Sequence, residues 1–211
     1  MTNFIPVFPL GIVVYPGEEL NLHIFEPKYK QLINDCFETK KPFGIPTVID
    51  GKIVEMGTVV VIKEISNRYD DGQLDIKTEG VQPFKILEFV KELPEKLYGG
   101  AIVNYPQINN VGSPSLLRFI LDGIRKLHLS LNVEKVFKIA DDKLMSYDLA
   151  HHAGMNLQDE YYLLELELEI HRQEFLKRHI VKLLEVMKEM EALKLKIGLN
   201  GHFKNLEGFN L

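Results

Sequence analysis

The residues best suited to metal chemistry in this sequence are its histidines. His151 and His152 are adjacent, so on a helix their side chains point about 100° apart and cannot readily face one ion. His171 and His179 are eight residues apart, which is too far for one ion without a third element. No H-E-x-x-H motif accompanies them. We therefore expect surface or interface histidines and no metal site.

The serines and glycines lack the spacing of known catalytic loops. The only Gly-Lys pair, Gly51-Lys52, is followed by Ile53 and not by the Ser or Thr of a phosphate-binding loop. No G-x-G-x-x-G dinucleotide motif is present. None of the serines lies in a G-x-S-x-G nucleophile elbow; they are Ser66, Ser113, Ser115, Ser130 and Ser146. The sequence therefore predicts a protein that is not an enzyme and needs no cofactor, and a hydrolase assembled from distant residues is the least favoured alternative.

Composition excludes several other classes. Hydrophobic residues make up 45% of the 211 residues, enough apolar surface to exclude disorder over the whole chain. The net charge of −5 opposes nucleic-acid binding, which usually needs a basic excess. The single cysteine, Cys36, cannot form an internal disulfide and fits a reducing compartment. Residues 1–17 carry no charged side chain but contain three prolines, so we expect no membrane span and a cytoplasmic protein.

The first half of the chain has the pattern of β-structure. Short apolar runs, such as Thr58 to Ile62, are β-branched and are interrupted by glycine and proline. Asp50-Gly51 and Asp71-Gly72 each separate two such runs, which predicts two hairpins. Pro27 suits a first helical position, and the apolar residues that follow it through Phe37 recur at helical spacing. We therefore expect a β domain over 1–110 with one inserted helix.

The second half has helical periodicity. Ser113 and Pro114 suit an N-cap and a first helical position. A further helix is predicted over 142–153, and another is expected to begin after Asn156. Apolar spacing from Leu176 to Ile197 favours one face of a compact bundle over a coiled-coil seam. We predict a helical subdomain over 113–198 and an irregular tail over 199–211.

The opening residues carry a more specific pattern. P-V-F-P-L at 6–10, V-Y-P-G at 14–17 and L-H-I-F-E-P-K-Y at 22–29 resemble the start of the N-terminal, substrate-binding domain of Lon proteases. The resemblance continues more weakly through the glycine-punctuated strands and the later helices. It implies an α+β fold, in which a small PUA-like β-barrel with one inserted helix precedes an α-helical bundle. We expect a stand-alone domain of this family without the ATPase and peptidase modules of Lon.

The resemblance implies a non-catalytic module that binds proteins or peptides, in a role of protein quality control. An extended apolar segment would bind at an exposed sheet edge or in the cleft between the subdomains. The expected partners are unfolded polypeptide and an ATP-dependent protease or chaperone, and a PUA-like RNA-binding protein is the main alternative. Many relatives have arginine before Phe84, where this chain has a proline that predicts an edge strand or a bulge. The candidate peptide contacts are Tyr69, Pro83, His23 and Glu26.

Overall fold

The computed structural model describes residues 3–137 and 139–206. A β half comes first and a helical half follows, which confirms the predicted α+β architecture. The strands and the inserted helix are β1 (Asn3–Pro6), β2 (Glu19–Ile24), α1 (Pro27–Thr39), β3 (Phe43–Ile49), β4 (Lys52–Arg68), β5 (Leu74–Val90) and β6 (Gly100–Asn104). The later helices are α2 (Pro114–Ser130), α3 (Ser146–Ala150), α4 (Leu157–Glu165) and α5 (Glu169–Leu206), with a 3₁₀ turn at Asp141–Lys143.

The antiparallel sheet closes on itself. Its strand order is β1-β6-β5-β4-β3, and the residues after β1 run parallel to β3 at the other end of that order. Phe8 N donates to Gly44 O at 2.8 Å, and Leu10 N donates to Pro46 O at 3.1 Å. Closure pairs the sheet edges that would otherwise expose unsatisfied backbone groups. β2 lies outside this path and pairs with β5.

Both predicted hairpins are present. Asp50 and Gly51 have φ values of 50° and 74°, and Ile49 pairs with Lys52 around them, as expected for a two-residue turn with two positive φ angles. The second hairpin has a longer loop, because β4 pairs through Arg68 and β5 begins at Leu74. Residues with positive φ therefore allow the chain to reverse direction in both hairpins: Asp50 and Gly51 in the first and Gly72 in the second.

β5 carries a bulge at Val81, two residues before Pro83, and a bulge was one of the two predicted alternatives. Val59 pairs with Gln82 whereas Val60 pairs with Gly80, so one extra residue of β5 is accommodated there. The edge-strand alternative is wrong, because β5 lies inside the sheet. On the side away from β4, β2 pairs with residues 74–79 and β6 with residues 85–90. Pro83 falls between these two pairings, where a missing N–H costs no ladder hydrogen bond among the described strands.

The capping signals of the helical half are confirmed. Ser113 Oγ accepts from Leu116 N at 3.4 Å, at the start of α2. Asn156 Oδ1 accepts from Asp159 N at 2.9 Å, at the start of α4. The continuous helix predicted over 142–153 is wrong: a 3₁₀ turn and the five-residue α3 occupy this stretch. Leu144 is extended, with ψ of 147°, and is buried, so packing into the core interrupts the helix.

Helix α5 departs from the predicted bundle. Leu176 and Ile180 are fully buried in the helical core, whereas Met190 and Leu193 are more than half exposed. The bundle prediction therefore applies only to the first part of the helix. The prediction of an irregular tail is wrong over 199–206, which continue α5, and residues 207–211 lie outside the described residues.

The two halves share a hydrophobic core. Val13, Tyr15 and Met56 of the β half are buried among the apolar side chains of α2, α3, α4 and α5. Tyr161 of α4 accepts from Met56 N through its hydroxyl oxygen at 3.0 Å. The contact positions one end of the barrel against the helices and creates a cleft between the two halves. The division of the chain at 110–113 remains a prediction.

Candidate functional site

A groove of about 780 Å³ separates the barrel from the helical half. One wall is the turn before β2, from Tyr15 to Glu19, together with Glu79 of β5. The other wall is formed by α3 and the residues after it, to His152, and by a segment of the α2–α3 connection, with Val136 and Ile139. This volume is within the range of about 300–1,000 Å³ found for ligand pockets. The groove is thus large enough for several side chains of a ligand.

The floor of the groove is apolar but contains two polar atoms without partners. Leu144 and Tyr147 are buried, and the Tyr147 ring stacks on Tyr15 with centroids 5.2 Å apart. The Tyr147 hydroxyl and His152 Nδ1 are buried and have no hydrogen-bond partner among the described residues. Burial lowers the pKa of His152 to about 4, so its imidazole is neutral at pH 7. Buried polar atoms without a partner carry a free-energy cost.

His151 ties the two walls together at one side of the groove. Its Nδ1 lies 2.8 Å from Glu160 Oε1 of α4, and its Nε2 lies 3.2 Å from Glu18 Oε2 of the barrel turn. Burial opposes the charged imidazolium, but the two carboxylates outweigh it and raise the pKa of His151 to about 10. Tyr15 N also donates to Glu18 Oε2, at 2.9 Å. The protonated histidine therefore holds the turn before β2 against the helices.

Among the described residues, the rim of the groove is exposed and mainly acidic. Val136 is 92% exposed and offers an apolar contact at the rim. Glu134 and Lys135 precede it in the chain, and Glu79 and Asp148 add further carboxylates to the lining. A phosphate backbone would be repelled by this surface. The arrangement favours an apolar ligand without strong negative charge.

Strand β2 connects the groove with two of the four predicted site residues, His23 and Tyr69. Glu19, its first residue, lines the groove, and His23 lies at its other end beside the tip of the β4–β5 hairpin. There His23 Nδ1 lies 2.7 Å from Asp75 Oδ1, and the Tyr69 hydroxyl donates to Asp75 Oδ2 at 2.7 Å. The rings of His23 and Tyr69 meet edge to face, and Phe25, 58% exposed, stacks on His23. The structure thus brings His23 and Tyr69 together in one aromatic surface.

Glu26 lies close to this surface in the chain but has a capping position. It is the N-cap residue of α1, and its side chain makes no cap hydrogen bond and pairs instead with Lys28 Nζ at 3.1 Å. Pro83 is elsewhere: it is buried, and lies nine residues along β5 from Leu74, a distance of roughly 30 Å. The structure therefore does not bring Pro83 together with the other three residues.

The single cysteine lies in a buried environment that disfavours its reactive thiolate form. Cys36 is buried in α1, and burial raises the pKa of its thiol to about 12. Among the residues that the structure describes, no group of three or more histidine, cysteine or acidic side chains is placed to hold a metal ion. Within the same part of the chain, no helix is both long and apolar enough to cross a membrane.

The groove residues were not identified as a site from the sequence. Tyr15 and Tyr147 are far apart in the chain and follow no spacing rule, and only packing brings them into contact. The helical angle expected between His151 and His152 does not apply, because α3 ends at Ala150 and both residues lie in the turn that follows. Their burial and their acidic neighbours could not be read from the sequence. The adjacent pair divides into one charged and one neutral ring because the two side chains face different surroundings.

Comparison with known proteins agrees with this architecture. Residues 5–190 match the family model of the ATP-dependent protease La (LON) substrate-binding domain. The crystal structure of a Lon N-terminal domain protein from Xanthomonas campestris superposes with a TM-score of 0.63 at 23% identity, covering 82% of this chain and 95% of that one. The N-terminal domain of Mycobacterium avium complex Lon protease gives a TM-score of 0.63 at 14% identity, covering 85% and 98%. These likenesses show the fold, and the family match over most of the sequence shows that this chain belongs to the Lon substrate-binding domain family.

Proposed function

We propose that this protein binds unfolded or extended polypeptide without cleaving it, in a substrate-recognition role like the one its family is named for. The groove between the barrel and the helices is the proposed binding site. The observation that carries the proposal is the apolar floor of this groove, where Leu144 and the stacked rings of Tyr15 and Tyr147 lie between the barrel turn and the helices. A polypeptide backbone offers one donor and one acceptor per residue, and its side chains can cover the apolar surface.

The acidic rim supports polypeptide over RNA as the ligand. Glu79, Glu134 and Asp148 line the groove, and the cations of its described lining are Lys135 and the protonated His151, which is already paired with Glu18 and Glu160. An RNA ligand would need several cationic contacts to neutralise its phosphates. In this proposal the protein is cytoplasmic and delivers the captured chain to an ATP-dependent protease or a chaperone.

Fluorescence anisotropy with a labelled, permanently unfolded polypeptide tests the proposal directly. We expect saturable binding that changes little between low and high salt, because burial of apolar surface dominates it. RNA of similar length should not compete. Absence of binding at tens of micromolar protein would refute the proposed function, and steeply salt-dependent binding of RNA would favour the alternative.

A charged substitution on the rim locates the site. Val136→Asp should weaken polypeptide binding by about 5- to 30-fold, since an apolar contact is worth roughly 1–2 kcal/mol. Leu97→Asp is the matched control, because Leu97 is 66% exposed and does not line the groove. Both variants should keep the wild-type melting temperature. Equal affinities of the two variants would place the site elsewhere.

A further inference from the structure

The β half extends beyond the barrel as a three-stranded sheet with two outer edges. β5 is the central strand of this extension, with β2 on one side and the distal part of β4 on the other. Among the described strands, β2 pairs with β5 alone. An edge strand turns half of its backbone N–H and C=O groups towards solvent, where another chain can pair with them.

The two edges differ in how they are protected. The distal part of β4 carries Lys63, Glu64 and Arg68, and its pairing with β5 shifts register twice between Ile62 and Asn67. Charges and bulges of this kind prevent the addition of another strand. β2 has the sequence E-L-N-L-H-I, without lysine or proline, and its six residues pair with β5 in unbroken register. Within the described part of the chain, the edge of β2 is therefore better suited to pairing than that of β4.

The register identifies the outward-facing backbone groups of β2. Gly80 N donates to Glu18 O at 2.9 Å, so residues 18 and 80 face each other through their backbones. In an antiparallel ladder the hydrogen-bonded residues alternate. Leu20 and Leu22 therefore turn their backbone groups towards β5, and Asn21 and His23 turn theirs outwards.

The ends of β2 suit a ligand strand. Glu18 and Glu19 line the groove at one end, and the exposed Phe25 and Tyr69 rings stand at the other. Six residues of strand span about 20 Å. We propose that β2 accepts an extended polypeptide segment as an additional strand, which runs from the groove to the aromatic surface of His23, Phe25 and Tyr69. This inference rests on the proposed function and specifies how the ligand is held.

The length of the edge favours a flexible segment over a second copy of this chain. A stable interface between folded proteins uses about 20–30 residues on each side. The six residues of β2 supply only a small part of such an interface. An unfolded segment can use the short edge together with the groove, because it can bend to follow both.

Backbone methylation of a peptide provides the first test. The probe is a fluorescein-labelled octapeptide of alternating valine and threonine with a terminal lysine, N-methylated at one amide at a time and titrated against the wild-type protein. We expect affinity losses of about 10-fold at alternate amides, with changes below about 3-fold at the amides between them. The strand-addition inference would be overturned if the affinity losses did not alternate from one amide to the next, or if methylation lowered the affinity at no position.

A proline in β2 provides the matching test on the protein. Asn21→Pro removes an outward N–H that makes no bond to β5, and proline is tolerated at such edge positions. It should lower the affinity for the unmethylated octapeptide by about 10-fold, while Asn21→Ala should change it by less than about 2-fold. Circular dichroism and thermal melting check the fold. If the proline variant does not fold, the affinities of the methylated peptides for the wild-type protein decide whether the strand-addition inference holds.

The possible outcomes separate this inference from the proposed function. Failure of the wild-type protein to bind any unfolded polypeptide would refute the proposed function and the inference together. Binding that Asn21→Pro and backbone methylation leave unchanged would overturn strand addition alone. A dimer in sedimentation that Asn21→Pro abolishes and peptide displaces would assign the edge to a second copy, which also overturns the inference.

Discussion

Replacing Arg172 by methionine tests the buried ion pair that joins the helices beneath the groove. Arg172 is fully buried on α5, and its guanidinium lies 2.9 Å from the Glu169 carboxylate. It also donates to Ser146 Oγ at 2.9 Å, Leu166 O at 2.7 Å and Asn110 Oδ1 at 3.1 Å. One side chain therefore connects the chain before α2, the α4–α5 link and the start of α3. Methionine has a similar length and fills most of the same space without a charge.

The expected loss of stability is large because the partner stays behind. Glu169 is 1% exposed, and without Arg172 its carboxylate would be a buried charge without a counter-ion. Removing one member of a buried pair costs about 3–5 kcal/mol, compared with a typical total of about 5–15 kcal/mol. For a chain of this length the melting temperature should fall by roughly 6–20 °C.

Thermal and urea denaturation measure this effect, with two variants for comparison. Arg178→Met is the control, because Arg178 is an exposed arginine on the same helix, and it should change stability by less than about 0.5 kcal/mol. The double variant Arg172→Met with Glu169→Gln should be more stable than Arg172→Met alone, since the orphaned charge is removed. A loss below about 1 kcal/mol for Arg172→Met, or no recovery in the double variant, would refute this account of the network.

Three further predictions concern the groove, the aromatic surface and the core. The raised pKa of His151, about 10, means that its ion pairs with Glu18 and Glu160 stabilise the fold fully below pH of about 6.5 and lose this effect as pH rises through 10. His151→Gln should therefore reduce the decline of wild-type stability between pH 7 and 10, and equal pH profiles in urea denaturation would contradict this. Tyr69→Ala should weaken polypeptide binding without lowering the melting temperature, and an unchanged affinity by anisotropy would remove Tyr69 from the site. The Cys36 thiol, with its pKa raised to about 12 by burial, should react with a disulfide reagent only after unfolding, so rapid reaction of the native protein would disprove its inert environment.

The local elements of this fold could be predicted from short stretches of sequence. Asp50-Gly51 makes its turn because both residues accept positive φ, and Ser113 and Asn156 cap helices because their side chains reach nearby N–H groups. Each of these preferences depends on a few adjacent residues. The family pattern of residues 6–29 is also local, and it indicated the architecture before any packing was known.

The predictions from sequence are wrong where tertiary packing decides the local conformation. The 142–153 segment has helical periodicity, but the burial of Leu144 and the pairing of Ser146 with Glu169 divide it. The α5 stripe continues at helical spacing to Ile197, but the periodicity does not show that its last part extends past the core into solvent.

The candidate site was decided almost entirely by the tertiary structure. The sequence determined that a barrel precedes helices, that no known catalytic motif is present, and that His23 and Tyr69 belong to the β half. Only the folded chain places Tyr15 against Tyr147, makes one of two adjacent histidines charged and the other neutral, and pairs β2 with β5 alone among the described strands. A groove and a free edge depend on which distant segments pack together and which do not, and the residues of any one segment do not contain that information.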